Sequence, residues 1–448
     1  MITSEESCEL STRIVALAKM AGADAADAIA SASTSESVTV RLGNLEDVER
    51  SEDEEIGLRV FVGKTSASVS GSDFSDSSLK EMAERAVAMA KLAPDDPYAG
   101  LAAEGLLASG PFPDFDLVDA SEPTPARLRE IALETEDSAR AIKGVSNSAG
   151  ASAGYGHSVS ALATSNGFVG GYAATSSSIS ASMIAGEGDN MQRDYEYRVT
   201  RHAEDLPSAA GIGASAGERA VAKLDPVRLP SGPMAVVFDP RVGNSLVGHL
   251  LGAINGMSIA RKSSFLLDRL GEQIFAPSIT VRDEPHRIRG MRSKPFDGEG
   301  LPTAPSDIVR GGQVTGWLLN CAAARQLELQ PNGHASRGGG GSPGISASNV
   351  HLEPGSLSRD ELIGEIADGV FVTELIGQGV NGITGDYSRA AAGFRIRNGQ
   401  LAESVSEFTI AGNLLDMFAK LTPASDLEMY RAVNVPTLRV DGMTIAGE

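Results

Sequence analysis

Residues 4–21 place Leu10, Ile14, Val15, Leu17 and Ala18 at helical spacing, which predicts one amphipathic helix. The period then changes. The stretches "ESVTVRL" (36–42), "IGLRVFVG" (56–63) and "SASVSG" (66–71) alternate apolar and polar positions, as half-buried strands do. A second helix is predicted over 78–93, "SLKEMAERAVAMAKLA", with acidic residues early and Lys91 late, in line with the helix dipole. The run "APDDPYAG" reads as a linker. These elements predict an N-terminal α/β domain over 1–100.

A second unit is predicted over 112–226. It opens with a turn and a helix, and its stretch 145–188 is rich in Ser, Ala and Gly. Low complexity alone would suggest a flexible linker. The alternation in "HSVSALATS", "VGGYAATSSSISASMIAG" and "DYEYRVTRH" argues for successive antiparallel strands instead, and "AAGIGASAGERAVAKL" closes the unit as a helix. The third unit, 232–448, starts with the strand "MAVVFDP". The stretch 243–258, "GNSLVGHLLGAINGMS", follows it with Leu246, Val247, Leu250, Leu251 and Ile254 on a helical period. The remainder reads mostly as antiparallel β structure with long loops. The fold class is therefore α/β (α+β), with an N-terminal α/β domain, a β-rich middle segment and a large β-rich C-terminal domain. No tandem repeat at a fixed short period is visible.

Charge narrows the function. Among 448 residues, 38 basic against 59 acidic ones leave a net charge of −21. DNA binding rests largely on phosphate neutralisation, so direct nucleic-acid binding is disfavoured. The two cysteines, Cys8 and Cys321, have no CxxC partner, which fits a reducing cytoplasm. The N-terminus lacks a basic n-region and a long apolar core, and no run has the length of a membrane span.

Most local motifs fail on spacing. Gly63-Lys64-Thr65 ends a strand-like run, and the position where a P-loop needs its first glycine holds Leu58. A hairpin turn at Gly63 is the plainer reading. "SRGGGGSPG" (336–344) is followed by extended rather than helical sequence, so a close-packed loop is favoured over a phosphate cradle. "GNSLVG" lacks the spacing of a serine nucleophile elbow. None of the six histidines forms an HxH or HxxxH pair.

An ordered set of longer stretches says more. "VVFDPRVGNSLVGHLLGAINGMSIARKSSFL", "FDGEGLPTAPSDIVRGGQVTGWLLN", "SRGGGGSPGISASN", "TGDYSRAAAGFRIRNGQ" and "VPTLRVDGMTIAG" span about 236–447. Together with "GLRVFVGKTSASVSG" near the N-terminus, they make the chain resemble the TldD/PmbA (TldE) metalloprotease family. In that family the TldD kind of subunit carries HExxxH on a helix, and a later cysteine, as the zinc site. The resemblance aligns the first histidine with Asn244, the glutamate with Ser245 and the second histidine with His249. The segment 411–436 contains no cysteine. Two of three ligands and the general base are thus replaced, as in the PmbA/TldE kind of subunit. Asn244, Ser245 and His249 are read as the remnant of the motif, with no catalytic or metal-binding residue in this chain.

The resemblance implies a cytoplasmic heterodimer. A TldD-like homologous subunit supplies zinc and hydrolysis, this chain carries no cofactor, and the substrates are unfolded or peptide chains. Whether the isolated chain forms a homodimer is left open. Two alternatives remain at this point. One is a self-sufficient metallopeptidase using His249 with distant groups such as His334 or Asp386. The other is a regulatory binding protein without proteolytic function.

Overall fold

The computed structural model describes residues 2–448. Its N-terminal half contains the same order of elements twice. Helix α1 (Ser4–Met20), strands β1 (Ala25–Arg41), β2 (Asn44–Val62) and β3 (Thr65–Gly71), and helix α2 (Asp76–Ala90) come first. Helix α3 (Pro125–Arg140), strands β4 (Val145–Thr164), β5 (Val169–Ala185) and β6 (Gln192–Thr200), and helix α4 (Ala209–Ala222) repeat that order. The strands join in one six-stranded sheet, β3-β2-β1-β4-β5-β6, with β1 and β4 antiparallel at its centre. The predicted units 1–100 and 112–226 therefore share a sheet.

All four helices cover one face. Leu10, Ile14, Val15 and Ala18 of α1 and Leu79, Ala83, Ala86 and Ala90 of α2 bury against Ala26, Ala28 and Ala30 of β1. Further along β1, Val38 and Val40 pack with Leu128 and Ala132 of α3 and Ala216 and Ala220 of α4. The period-2 alternation of a strand puts these even-numbered residues on one side. Residues on the other side, including Ile29 and Leu162, meet Phe168 and Phe296. The repeated halves are also tied at the β1–β2 turn. Leu42 and Gly43 there have φ of 51° and 77°, and their N–H groups donate to the buried carboxylate of Glu136 on α3 at 2.8 and 2.7 Å.

The C-terminal region is built on strand β7 (Gly232–Phe238). It pairs parallel with 368–376 and antiparallel with 438–446. Strands 386–397 and 400–413 follow in order, and Thr409 to Ala411 pair with Ala446 to Thr444. These five strands form a closed ring, which removes free edges. Helix α5 (Pro240–Ala253) leaves β7 directly, with Asp239 as its N-cap and Pro240 in its first turn. Leu246, Val247 and Leu250 of α5 share a core with Val236, Phe238, Tyr387, Phe408 and Leu438. A separate five-stranded sheet contains 281–283, 306–310, 313–314, 350–352 and 433–434.

The helix predicted over 243–258 is shorter and earlier. The helix ends at Ile254, Gly256 N–H donates to Leu318 O at 2.8 Å, and Asn255 caps a new short helix over Gly256–Ala260. Gly63 has φ 58° in the turn between Val62 and Thr65, so Gly63-Lys64-Thr65 is a hairpin connection. No helix is long and apolar enough to cross a membrane among the described residues.

Candidate functional site

Helix α5 carries the three residues that the sequence singles out. Its buried stripe is Gly243, Leu246, Val247, Leu250 and Ala253, which leaves Asn244, Ser245 and His249 half-buried beside it. The Ser245 hydroxyl donates to Val242 O at 2.6 Å. That bond turns the hydroxyl back onto its own helix, as serine does in a helix interior. A hydroxyl also titrates far above neutrality and cannot take a proton from water as a carboxylate can.

His249 is held in an apolar setting. Its ring meets Tyr387 edge-on, with centroids 6.1 Å apart. Burial lowers the imidazole below its ordinary value, and the nearby Arg389 cation adds to the effect. The ring is therefore neutral at pH 7. Its Nε2 is buried without a hydrogen-bond partner, as is the Tyr387 hydroxyl. Burial pushes the Tyr387 phenol upward, so it too stays neutral.

This donor set holds one imidazole, one carboxamide and one hydroxyl already engaged with backbone. Catalytic zinc sites commonly use three protein ligands from histidine, carboxylate or cysteine, and this set does not fit one. Among the described residues, no group of three or more His, Cys, Asp or Glu side chains is placed to hold a metal. The distant candidates lie elsewhere. His334 bonds Asn332 at 2.9 Å and Asp283 at 3.2 Å in a separate buried network. Asp386 accepts from Thr384 and Asn413 at 2.6 and 3.2 Å. Sequence reasoning missed Tyr387 and Arg389. The only signal was their place within "TGDYSRAAAGFRIRNGQ", because a strand brings them to α5 from across the barrel.

A second polar cluster fastens the N-terminal sheet to the C-terminal region. Asp27 of β1 pairs with Arg59 of β2 and with Arg337, and all three side chains are almost fully buried. Burial alone would raise the Asp27 carboxyl, but Arg337 and Arg59 outweigh it and hold the group below its ordinary value. Glu299 stands 3.8 Å from Arg59 and accepts the Cys321 N–H at 2.7 Å. Arg337 opens the glycine run 338–341. A side chain on Gly57 of β2 would overlap the Gly339 carbonyl, and one on Gly339 would overlap the Glu55 carboxylate. The four glycines therefore include a packing joint between the C-terminal region and β2. Beside it, Asp297 accepts N–H bonds from Glu299 and Leu301 at 2.8 and 3.0 Å and from Ala335 at 3.1 Å. Burial still pushes its carboxyl up to about 6.

Known proteins resemble this chain in sequence and in fold. Family models described as PmbA/TldA metallopeptidase domain 1, central domain and C-terminal domain match residues 26–90, 119–224 and 231–447. The metalloprotease PmbA of Escherichia coli O157:H7 is 38% identical over 95% of this chain and 93% of its own length. A PmbA homologue of Haemophilus influenzae is 35% identical over 97% of this chain and 94% of its own. Two solved structures share the fold. One, from Bacteroides thetaiotaomicron and described as a candidate modulator of DNA gyrase, has a TM-score of 0.92 at 27% identity, covering 100% of both chains. The other is TldE from Thermococcus kodakarensis, with a TM-score of 0.87 at 21% identity, covering 98% of this chain and 100% of that one. Family models over most of the chain and close relatives over nearly all of it agree, and the chain belongs to the PmbA/TldD metallopeptidase family as a PmbA/TldE-type member.

Proposed function

We propose that this chain is the non-catalytic subunit of a cytoplasmic, two-component zinc peptidase acting on unfolded or peptide substrates. A TldD-like homologue supplies the metal and the hydrolytic step, and this chain completes the heterodimer and part of its substrate chamber. The observation that carries the reading is the chemistry of α5. Asn244 and Ser245 stand where the resemblance puts a ligand and a base, Ser245 is bonded to Val242 O, and His249 is a neutral ring packed on Tyr387. One imidazole beside the Arg389 cation is a poor trap for a divalent metal, because like charges repel. The net charge of −21 supports a peptide over a nucleic acid as substrate. Both cysteines are free, as a reducing compartment would keep them.

The test is zinc content and peptidase activity of the purified chain, alone and mixed with a TldD-like subunit, on an unfolded peptide. The expected result is no zinc and no cleavage alone, co-elution with the TldD-like subunit, and cleavage in the mixture. About one zinc per chain, with cleavage that vanishes in His249→Ala, would overturn it.

A further inference from the structure

The chain is strongly acidic, yet one cleft is walled by arginine. It consists of two adjoining hollows of about 180 and 380 Å³ that share Arg198, Glu428, Tyr430 and Arg431. Its walls come from β6 and the residues after it, α4, the start of α5, the 287–291 loop, Arg359 with Phe371, and the 426–437 segment. Eight arginines and four carboxylates line it. Some of these charges are already neutralised. Arg241 pairs with Asp194 and Asp239, and Arg289 with Asp116, Glu204 and Asp205.

Others are not. Among the described residues, Arg201, Arg287 and Arg431 have no carboxylate within ion-pair distance. Arg201 donates only to the carbonyls of Thr175, Gly290 and Met291. Arg287 donates to Met429 O at 3.4 Å and Arg431 to Pro240 O at 3.2 Å. The Nε of Arg431 and one Nη of Arg219 are buried without a partner. Burial holds Arg201 and Arg287 below the ordinary arginine value. Cations withdrawn from water without an anion are costly. With 59 acidic residues in the chain, the shortage of partners here is local.

The groups are also held in place. The guanidinium groups of Arg198 and Arg431 both lie over the Tyr430 ring, at 4.0 and 4.6 Å from its centroid. Stacking of this kind pre-organises a guanidinium for planar oxyanions. The neighbouring sheet edge is closed to strand addition. Along β6, Asp194 and Glu196 accept the N–H groups of Tyr195 and Tyr197, and Lys223, Arg241 and Arg198 donate to the carbonyls of residues 193, 195 and 197. A ligand in the groove is thus recognised by side-chain charge and not by main-chain pairing.

We propose that this arginine groove binds an acidic stretch of peptide, with Arg201, Arg287 and Arg431 taking its carboxylates. The choice of a peptide over a free phosphate rests on the peptide-handling function proposed above. The groove itself rests on the unpaired guanidinium groups.

The experiment is calorimetric titration of the isolated full chain at low salt with a capped hexaglutamate peptide. A Gly-Ser peptide of equal length and sodium phosphate are the parallel arms. We expect binding of hexaglutamate that weakens with salt, little binding of the Gly-Ser peptide, and phosphate acting only as a weak competitor. Arg287→Gln and Arg431→Gln should each weaken hexaglutamate binding about tenfold, and Arg287→Lys should weaken it less. Arg50→Gln, on the exposed β1–β2 hairpin, should leave it unchanged. Thermal melts show which variants are folded, and Arg287, held only by one long bond to backbone, is the informative one if Arg431→Gln misfolds. No binding of hexaglutamate, equal binding of the neutral peptide, binding of phosphate alone, or an unchanged affinity in folded Arg287→Gln would overturn the proposal. The titration uses neither zinc nor a second subunit. Its failure would leave the peptidase-partner reading standing, and failure of that reading would leave the titration interpretable.

Discussion

The rings of His249 and Tyr387 meet edge-on at 6.1 Å, and the buried Nε2 of one and hydroxyl of the other lack hydrogen-bond partners. A ring in this position acts as a packing element. His249→Leu should therefore leave activity of a mixed two-subunit complex intact and change stability at pH 8 by about 1 kcal/mol or less.

The same residue gives a signed pH effect. The folded imidazole titrates below the unfolded value of 6.5. The unfolded chain therefore takes up the proton first, and stability present above pH 6.5 is lost as pH falls toward the folded value. Melting at pH 8 and pH 5.5 should show a larger loss for the native chain than for His249→Leu. Equal losses would mean that the ring is accessible and unperturbed.

Asp297 acts with the opposite sign. Its folded carboxyl is raised from 3.8 to about 6, so its contribution favours folding at low pH and is lost as pH rises through 6. Asp297→Asn keeps an oxygen for the Glu299 and Leu301 N–H groups and removes the titration. The stability of the variant relative to the native chain should rise between pH 4 and pH 7, by roughly 3 kcal/mol at most. Denaturant unfolding at the two pH values measures it.

The glycine joint predicts a contrast within one loop. Gly57→Ala pushes a methyl group into the Gly339 carbonyl, whereas positions 338 and 341 face open space. Gly57→Ala should cost about 3 kcal/mol or more, as overpacking against backbone does. Gly341→Ala should fall within about 0.5 kcal/mol of the native chain. Comparable melting temperatures for the two variants would show that the loop does not dock on β2 as described.

Asp27 neutralises two buried guanidinium groups. Asp27→Ala leaves Arg337 without an anion and Arg59 with only Glu299 at 3.8 Å, and should destabilise the chain by about 3–5 kcal/mol. A limited-proteolysis time course should then show the glycine loop cut earlier than in the native chain, because Arg337 no longer anchors it.

Much of the local structure follows from sequence alone. The helix face of Leu10, Ile14 and Val15, the alternation of 56–63 and the start of a strand–helix unit at 234–240 depend on neighbours within a turn or two, so periodicity reports them. The loss of the family's metal donors is likewise a matter of residue identity at Asn244, Ser245 and His249. Tertiary structure decided what depends on distant pairing. It joined β1 to β4 across more than a hundred residues and made two α-β-β-β-α units one sheet. Small Ser, Ala and Gly side chains left no repeat to read, because the shared feature is backbone order and not residue identity. It also brought Tyr387 to His249, Arg337 to Asp27, and arginines from six segments around one groove. A sequence shows which charges exist. Only folding decides which of them meet a partner.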